Sequence, residues 1–195
     1  MANKNANPLF TMWLRPMITI RNIVKTNPKM GFFFLGSIWF LQFFFILQTY
    51  YSINFPVHWI VSLIIAIIIA PFIGAIAFYF FGWVLYFTGK WLGGKAPQLH
   101  TRCAFAWSRV PLIIDLIMWL VISFFVAEII FVTAPIGMSF IFINLVTYAT
   151  GIWSFILLVG AIREIQKFSV GRAIFNVILA YLIFLFLFVI FRIIF

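Results

Sequence analysis

Five long apolar blocks, separated by short polar strips, account for most of the chain. They run approximately Met30–Gln48, Val57–Phe87, Val110–Val132, Ile136–Ile162 and Ala173–Phe191. A helix rises 1.5 Å per residue, so roughly 20 mostly apolar residues match a hydrocarbon core about 30 Å thick. Each block is of that order. The second and fourth exceed it, which predicts tilt, a kink or an extension past the interface. Ahead of the first block, a helix beginning at Trp13 would gather Trp13, Met17, Ile20 and Val24 on one face and turn Arg15, Asn22 and Lys25 away. That pattern predicts an amphipathic helix lying in the headgroup layer, anchored by Trp13. Pro16 falls in its first turn, where proline is tolerated. Asn27-Pro28 then reads as an N-cap and first-turn proline that restart the chain as the first span.

The pattern therefore predicts an all-α integral membrane protein. Residues 1–29 form a cytoplasmic N-terminal region with a short amphipathic interfacial helix, and residues 30–195 form a domain of five transmembrane helices. Within the second block, Ala66, Ala70 and Gly74 recur every four residues, with Gly82 in register two steps on. Small residues so spaced admit another helix at close range. Packing within the chain is expected here ahead of a dimer interface, and Pro71 predicts a kink beside the stripe. Gly93-Gly94 followed by Pro97 predicts a turn at the end of the second span. Ser169 is placed to cap the last helix.

Composition removes the soluble alternative. The chain is 66% hydrophobic and 8% charged, with a mean hydropathy of +1.21, against about 45–50% apolar and about 25% charged in soluble domains. The apolar stretch after the basic start is too long for a signal-peptide core, and Gln48-Thr49-Tyr50-Tyr51 is no small-residue cleavage site. Charge then orients the spans. The net charge of +10 rests on 13 Lys and Arg. Lys4, Arg15, Arg21, Lys25 and Lys29 precede the first span. Lys90, Lys95, Arg102 and Arg109 follow the second in what reads as a loop, and Arg163, Lys167 and Arg172 follow the fourth. With five spans all twelve lie on one side, leaving Arg192 on the other. Short cytoplasmic loops carry the Lys/Arg excess, so the N-terminus is cytoplasmic and the C-terminus outside. Beside an anionic leaflet each cation contributes about 1 kcal/mol of attraction. Because the cations sit in strips between spans, the expected partner is anionic lipid of the cytoplasmic leaflet and not nucleic acid.

Candidate chemistry is sparse. The single Cys103 excludes an intramolecular disulfide. Gly89-x-x-x-x-Gly94-Lys95 approaches a phosphate-binding loop, but Ala96 stands where Ser or Thr must hold magnesium, and no strand precedes it. His58 and His100 are isolated, so no metal site, cofactor or enzymatic centre is expected. Two carboxylates, Asp115 and Glu128, fall within the third span, where ionisable groups are costly and functional by default. They lie about 20 Å apart along a helix and about 140° around it, so they form no dyad. Asp115 is placed to pair with Arg109, Arg163 or Arg172, and a transport or binding role is the competing assignment. Glu128 is evenly divided between the outer-leaflet water and such a role.

Three stretches in this order carry a resemblance: Trp13-Leu14-Arg15-Pro16-x-x-Thr19-Ile20; Gly93-Gly94-Lys95 through Ala106-Trp107-Ser108-x-Val110-Pro111; and Glu164-x-x-x-Phe168-Ser169-x-x-Arg172-Ala173. Together they resemble the Yip family of Ypt/Rab-interacting membrane proteins in its short prokaryotic form, over nearly the whole chain. The resemblance implies a five-helix membrane domain with a cytoplasmic N-terminus. Eukaryotic members act in vesicle traffic, recruit prenylated GTPases through a longer cytosolic segment, and form complexes with one another. For this chain it implies a non-enzymatic adaptor or membrane-organising factor in a bacterial inner (cytoplasmic) membrane. Its partners would be anionic lipids and a membrane or cytoplasmic protein, with a homo-oligomer left open. The expected contact residues are Trp13, Arg15, Arg21, Lys90, Lys95, Arg102, Arg109, Arg163, Lys167 and Arg172, with Pro16, Trp107, Pro111 and Ala173 completing the motifs. The alternative is a small transporter, channel or lipid-moving protein using Asp115 and Glu128.

Overall fold

The computed structural model describes residues 7–51, 59–132 and 138–194, and all of its regular elements are helices. They are α1 (Pro8–Leu14), α2 (Pro16–Thr26), α3 (Phe32–Tyr51), α4 (Trp59–Trp91), α5 (Gln98–Trp107), α6 (Leu112–Val132), α7 (Met138–Gln166) and α8 (Val170–Ile194). Each apolar block of the sequence thus becomes one helix: α3, α4, α6, α7 and α8. Two expectations change. The stretch from Lys90 to Arg109, read as a loop, contains the ten-residue helix α5. The amphipathic stretch is two helices and not one, and His58 lies outside the described residues.

The break between α1 and α2 follows from Pro16. Proline disfavours helical geometry in the residue before it, and Arg15 adopts φ −138° and ψ 59°. Pro8 and Pro16 each open a helix, where their missing N–H costs nothing. Asn7 caps α1 by accepting from the Leu9 N–H at 3.0 Å. The restart moves the buried face of α2 to Thr19, Ile20 and Ile23. Of the four residues expected to share that face only Ile20 is fully buried, and Met17 is exposed. Asn27 ends α2 and accepts from the Lys29 N–H at 3.2 Å. The helix it was expected to start begins four residues after Pro28, at Phe32, because Gly31 turns left-handed at φ 73°.

The chain divides into two compact units. The first comprises Met1–Met30, Phe78–Ser108 and Phe155–Phe195; the second comprises Gly31–Ala77 and Arg109–Ser154. In the first unit, α4, α5 and α8 meet through aromatic rings. Phe105 stacks on Phe81 at 4.9 Å and meets Phe78 edge-on at 5.2 Å, and Phe184 lies 4.6 Å from Phe81. The inner face of α8 is Ala173, Asn176, Val177 and Ala180, the i, i+3, i+4, i+7 spacing of one helical face. Gly82 lets α5 approach α4: a Cβ there would meet the Arg102 Cα at 2.8 Å, and Thr101 Oγ1 donates to the Gly82 carbonyl at 3.0 Å.

In the second unit α3 packs along α6, with Phe45 stacked on Trp119 at 5.7 Å. The small-residue stripe packs within the chain: Ala66, Ala70 and Gly74 are buried, and a Cβ on Gly74 would collide with the Gly36 carbonyl of α3. On the other side of α4, Ile60, Ile64, Ile68, Phe72 and Ile76 are all exposed, an unbroken i, i+4 apolar stripe suited to lipid and not to water. By length and hydropathy, Ile60–Trp91, Ile141–Gln166 and Val170–Leu187 can each cross a membrane. The pair α5 and α6 adds a fourth if taken as one broken span, while the apolar part of α3, Phe32–Gln48, is shorter.

Candidate functional site

Among the described residues nine Lys and Arg side chains are exposed, and all belong to the first unit: Arg15, Arg21, Lys25, Lys29, Lys90, Lys95, Arg163, Lys167 and Arg172. Two expected basic contact residues are not exposed. Arg102 is half-buried, its guanidinium 4.1 Å from the centre of the Tyr79 ring, a cation–π placement. Arg109 belongs to the second unit, is buried, and donates to Ser154 Oγ at 3.0 Å. Trp13 is half-buried on α1, and Lys90 lies 5.5 Å from the Tyr86 ring centre.

Two long-range contacts hold this exterior in place, from Glu164 and from Trp107. Glu164, near the end of α7, takes Arg21 of α2 at 2.8 Å and Lys167 at 2.7 Å. The hydrogen bond and the charge of Glu164 raise the Arg21 pKa above its ordinary value. Lys167 sits left-handed at φ 59° just past α7, where glycine is the usual residue, and the Phe168 N–H closes back on the Arg163 carbonyl at 3.1 Å. Trp107, a motif residue, donates its indole N–H to the Met30 carbonyl at 3.0 Å and so ties the end of α5 to the turn after α2. Ser169 does cap α8, accepting from the Arg172 N–H at 3.4 Å.

The glycine-rich turn after α4 is a helix C-cap. Gly93 is left-handed at φ 82°, its N–H bonds the Lys90 carbonyl at 3.0 Å, and the Gly94 N–H bonds the Gly89 carbonyl at 2.8 Å. These are the two closures of a Schellman motif. The buried Gln166 side chain lies against both Gly89 and Gly94 and accepts from the Ala96 N–H at 3.0 Å. The backbone that would cradle a phosphate therefore holds a protein amide. Sequence reasoning missed Gln166, and also Asn176, whose amide donates to Thr88 Oγ1 at 3.0 Å. Their only signal is a polar residue on an apolar helical face.

Between α1 and α2 runs a groove of about 380 Å³ whose lining includes Phe10, Leu14, Arg15, Ile18, Asn22 and Met30. Phe10, Leu14 and Arg15 are all exposed.

The second unit holds a different cluster, in its interior. Asp115, in the first turn of α6, is 0% exposed. Its Oδ1 accepts from Thr147 Oγ1 of α7 at 2.8 Å, and Gln42 of α3 and Trp119 of α6 are the other polar groups acting on it. Arg109, one of its expected partners, donates from Nη1 to Ser154 Oγ. Glu128 lies on α6, but its side chain is outside what is described.

Long apolar helices, a lipid-facing stripe and a chain built almost wholly of such elements define a multi-pass integral membrane protein. A family model described as the Yip1 domain matches residues 10–191, and the chain belongs to that family. A search of curated proteins and a search of solved structures each returned no match.

Proposed function

We propose that the protein is a non-enzymatic adaptor or membrane-organising factor of the bacterial inner membrane, with five spans and a cytoplasmic N-terminus. The observation that carries this reading is the segregation of exposed cations: all nine belong to the first unit. The α1–α2 stretch adds exposed Phe10 and Leu14 to this surface, the mixture of apolar and basic side chains that suits an anionic headgroup layer. Its docking through Glu164 and Trp107 presents α2 as part of the same surface. An acidic partner protein would meet Lys90, Lys95 and Arg172 there, and charge complementarity of this kind favours encounter rate and selectivity.

Photo-crosslinking in cells tests the reading. A photoreactive residue replaces Trp91, Lys95 or Arg172, each exposed, and adducts are identified by mass spectrometry. The adaptor reading expects one recurring foreign protein at two or more of these sites. Adducts to lipid or to the chain itself at all three would overturn the protein-binding form and leave a membrane-organising one.

A further inference from the structure

The groove between α1 and α2 gathers apolar side chains that nothing in the first unit covers. Phe10 is 74% exposed and Leu14 is 86% exposed, and Ile18 and Met30 are exposed as well. All four line the same groove, which makes them a patch and not scattered surface residues. Its α2 side is one helical face: Arg15, Ile18, Asn22 and Thr26 are exposed along it, with Thr19 and Ile23 buried between them. The three threonines of the groove each donate to a backbone carbonyl about one turn earlier. The Arg15 guanidinium and the Asn22 amide remain to meet a polar group. The ion pairs of the described residues engage Arg21 and Lys167 and leave Arg15 out. Among the described residues no carboxylate lines the groove. Anchoring sets its depth. Glu164, which holds Arg21, stands in the last turn of α7, and Ile141–Gln166 is long and apolar enough to cross a membrane. Helix α2 is thereby kept at the end of a spanning helix, at the level of lipid headgroups.

We propose that this groove binds one anionic phospholipid, its phosphate on Arg15 and Asn22 and the start of an acyl chain against Phe10, Leu14 and Ile18. The inference rests on the reading of this exterior as a surface for anionic lipid, and it narrows a field of nine cations to one saturable site. Charge and shape select the occupant together. A guanidinium donates to phosphate oxygens in a fork that matches their geometry, and the Asn22 amide adds a further donor. Because the groove offers no carboxylate, the ammonium of a zwitterionic headgroup finds no partner there. That absence favours a lipid of net negative charge. The volume of about 380 Å³ lies in the range of small-molecule sites. It admits a headgroup and the upper part of one chain, while the remainder of the lipid stays in the bilayer. Phe10 and Leu14 then lie against an acyl chain instead of water, and burial of that apolar area favours binding.

Native mass spectrometry of the full chain in detergent tests the site, with phosphatidylglycerol and phosphatidylethanolamine titrated separately. The wild type is expected to take up one phosphatidylglycerol ahead of all others, several-fold more tightly than phosphatidylethanolamine. Arg15→Gln should weaken that first adduct several-fold. Lys25→Gln, which removes an exposed cation of α2 outside the groove lining, should leave it unchanged. Equal losses in the two variants, no preference between the lipids, or no distinct first adduct would each overturn the proposal. A second measurement needs no variant. Phosphatidylglycerol carrying a photoreactive group near the head of its acyl chain is added to the wild type at one lipid per chain, and the labelled peptides are mapped. Label concentrated in residues 10–30 supports the groove, and label confined to the long helices sinks it. Neither measurement involves a partner protein, so failure here leaves the adaptor reading standing, and failure of the cellular crosslinking leaves this site standing.

Discussion

At the scale of single residues, glycine matters most where two helices cross. A Cβ added at Gly36 would meet the Gly74 carbonyl carbon at 3.1 Å, a contact that a shift of a few tenths of an ångström relieves. A Cβ added at Gly74 would enter the Gly36 backbone, with its Cα at 2.9 Å and its carbonyl closer still. Backbone cannot rotate aside as a side chain can, and overpacking of a tight core costs about 1–3 kcal/mol. Gly74→Ala is therefore expected to lose stability in that range, and Gly36→Ala clearly less. Thermal unfolding of both variants in one detergent checks the order, and equal losses would count against this crossing. The four-residue stripe marked Gly74 as small. It did not mark Gly36, whose own helix is rich in phenylalanine and carries no such repeat.

At the scale of elements, periodicity predicts helices better than it predicts their neighbours. The block Val110–Val132 became Leu112–Val132, and Ile136–Ile162 became Met138–Gln166, because uninterrupted apolar runs leave a chain little else to form in lipid. The Gly93 turn and the Ser169 cap were legible for a similar reason: their chemistry is local. Helix α5 was hidden because His100, Thr101 and Arg102 make ten residues read as a polar loop, although its second half is buried. Partners separated by long stretches of chain were not legible at all. Arg21 and Glu164 are 143 residues apart, and nothing in either neighbourhood names the other. That pair makes a test of how α2 is held. Glu164→Gln removes the charge that Arg21 and Lys167 share while keeping the side-chain shape. Amides of Thr19–Thr26 should then exchange with deuterium several-fold faster, and added salt should speed exchange in the wild type but not in the variant. Unchanged exchange would mean that Thr19, Ile20 and Ile23 alone hold the helix down by burial.

At the scale of the whole molecule, the proposed five-span topology is argued on two independent grounds. Helices α3, α4, α6, α7 and α8 contain 20, 33, 21, 29 and 25 residues, so even the shortest is about 30 Å long, the thickness of a hydrocarbon core. The charge count is the second, since with α4, α7 and α8 crossing, twelve of thirteen Lys and Arg share one side only if α3 and α6 cross too. The weakest members are α3, whose apolar part is short, and α6, which passes the length and hydropathy test only together with α5. Parity locates any failure. In a Cys103→Ala background, single cysteines replace Lys25, Lys95, Arg172 or Ile193, all exposed, and a membrane-impermeant maleimide is applied to intact and to permeabilised cells. Five spans with the N-terminus inside require Lys25→Cys, Lys95→Cys and Arg172→Cys to react only after permeabilisation, and Ile193→Cys to react in intact cells. If α3 stays on the surface, the Lys25 and Lys95 sites fall on opposite sides. If α6 fails to cross, the Lys95 and Arg172 sites separate instead, and the buried Asp115 of α6 would no longer lie at membrane depth.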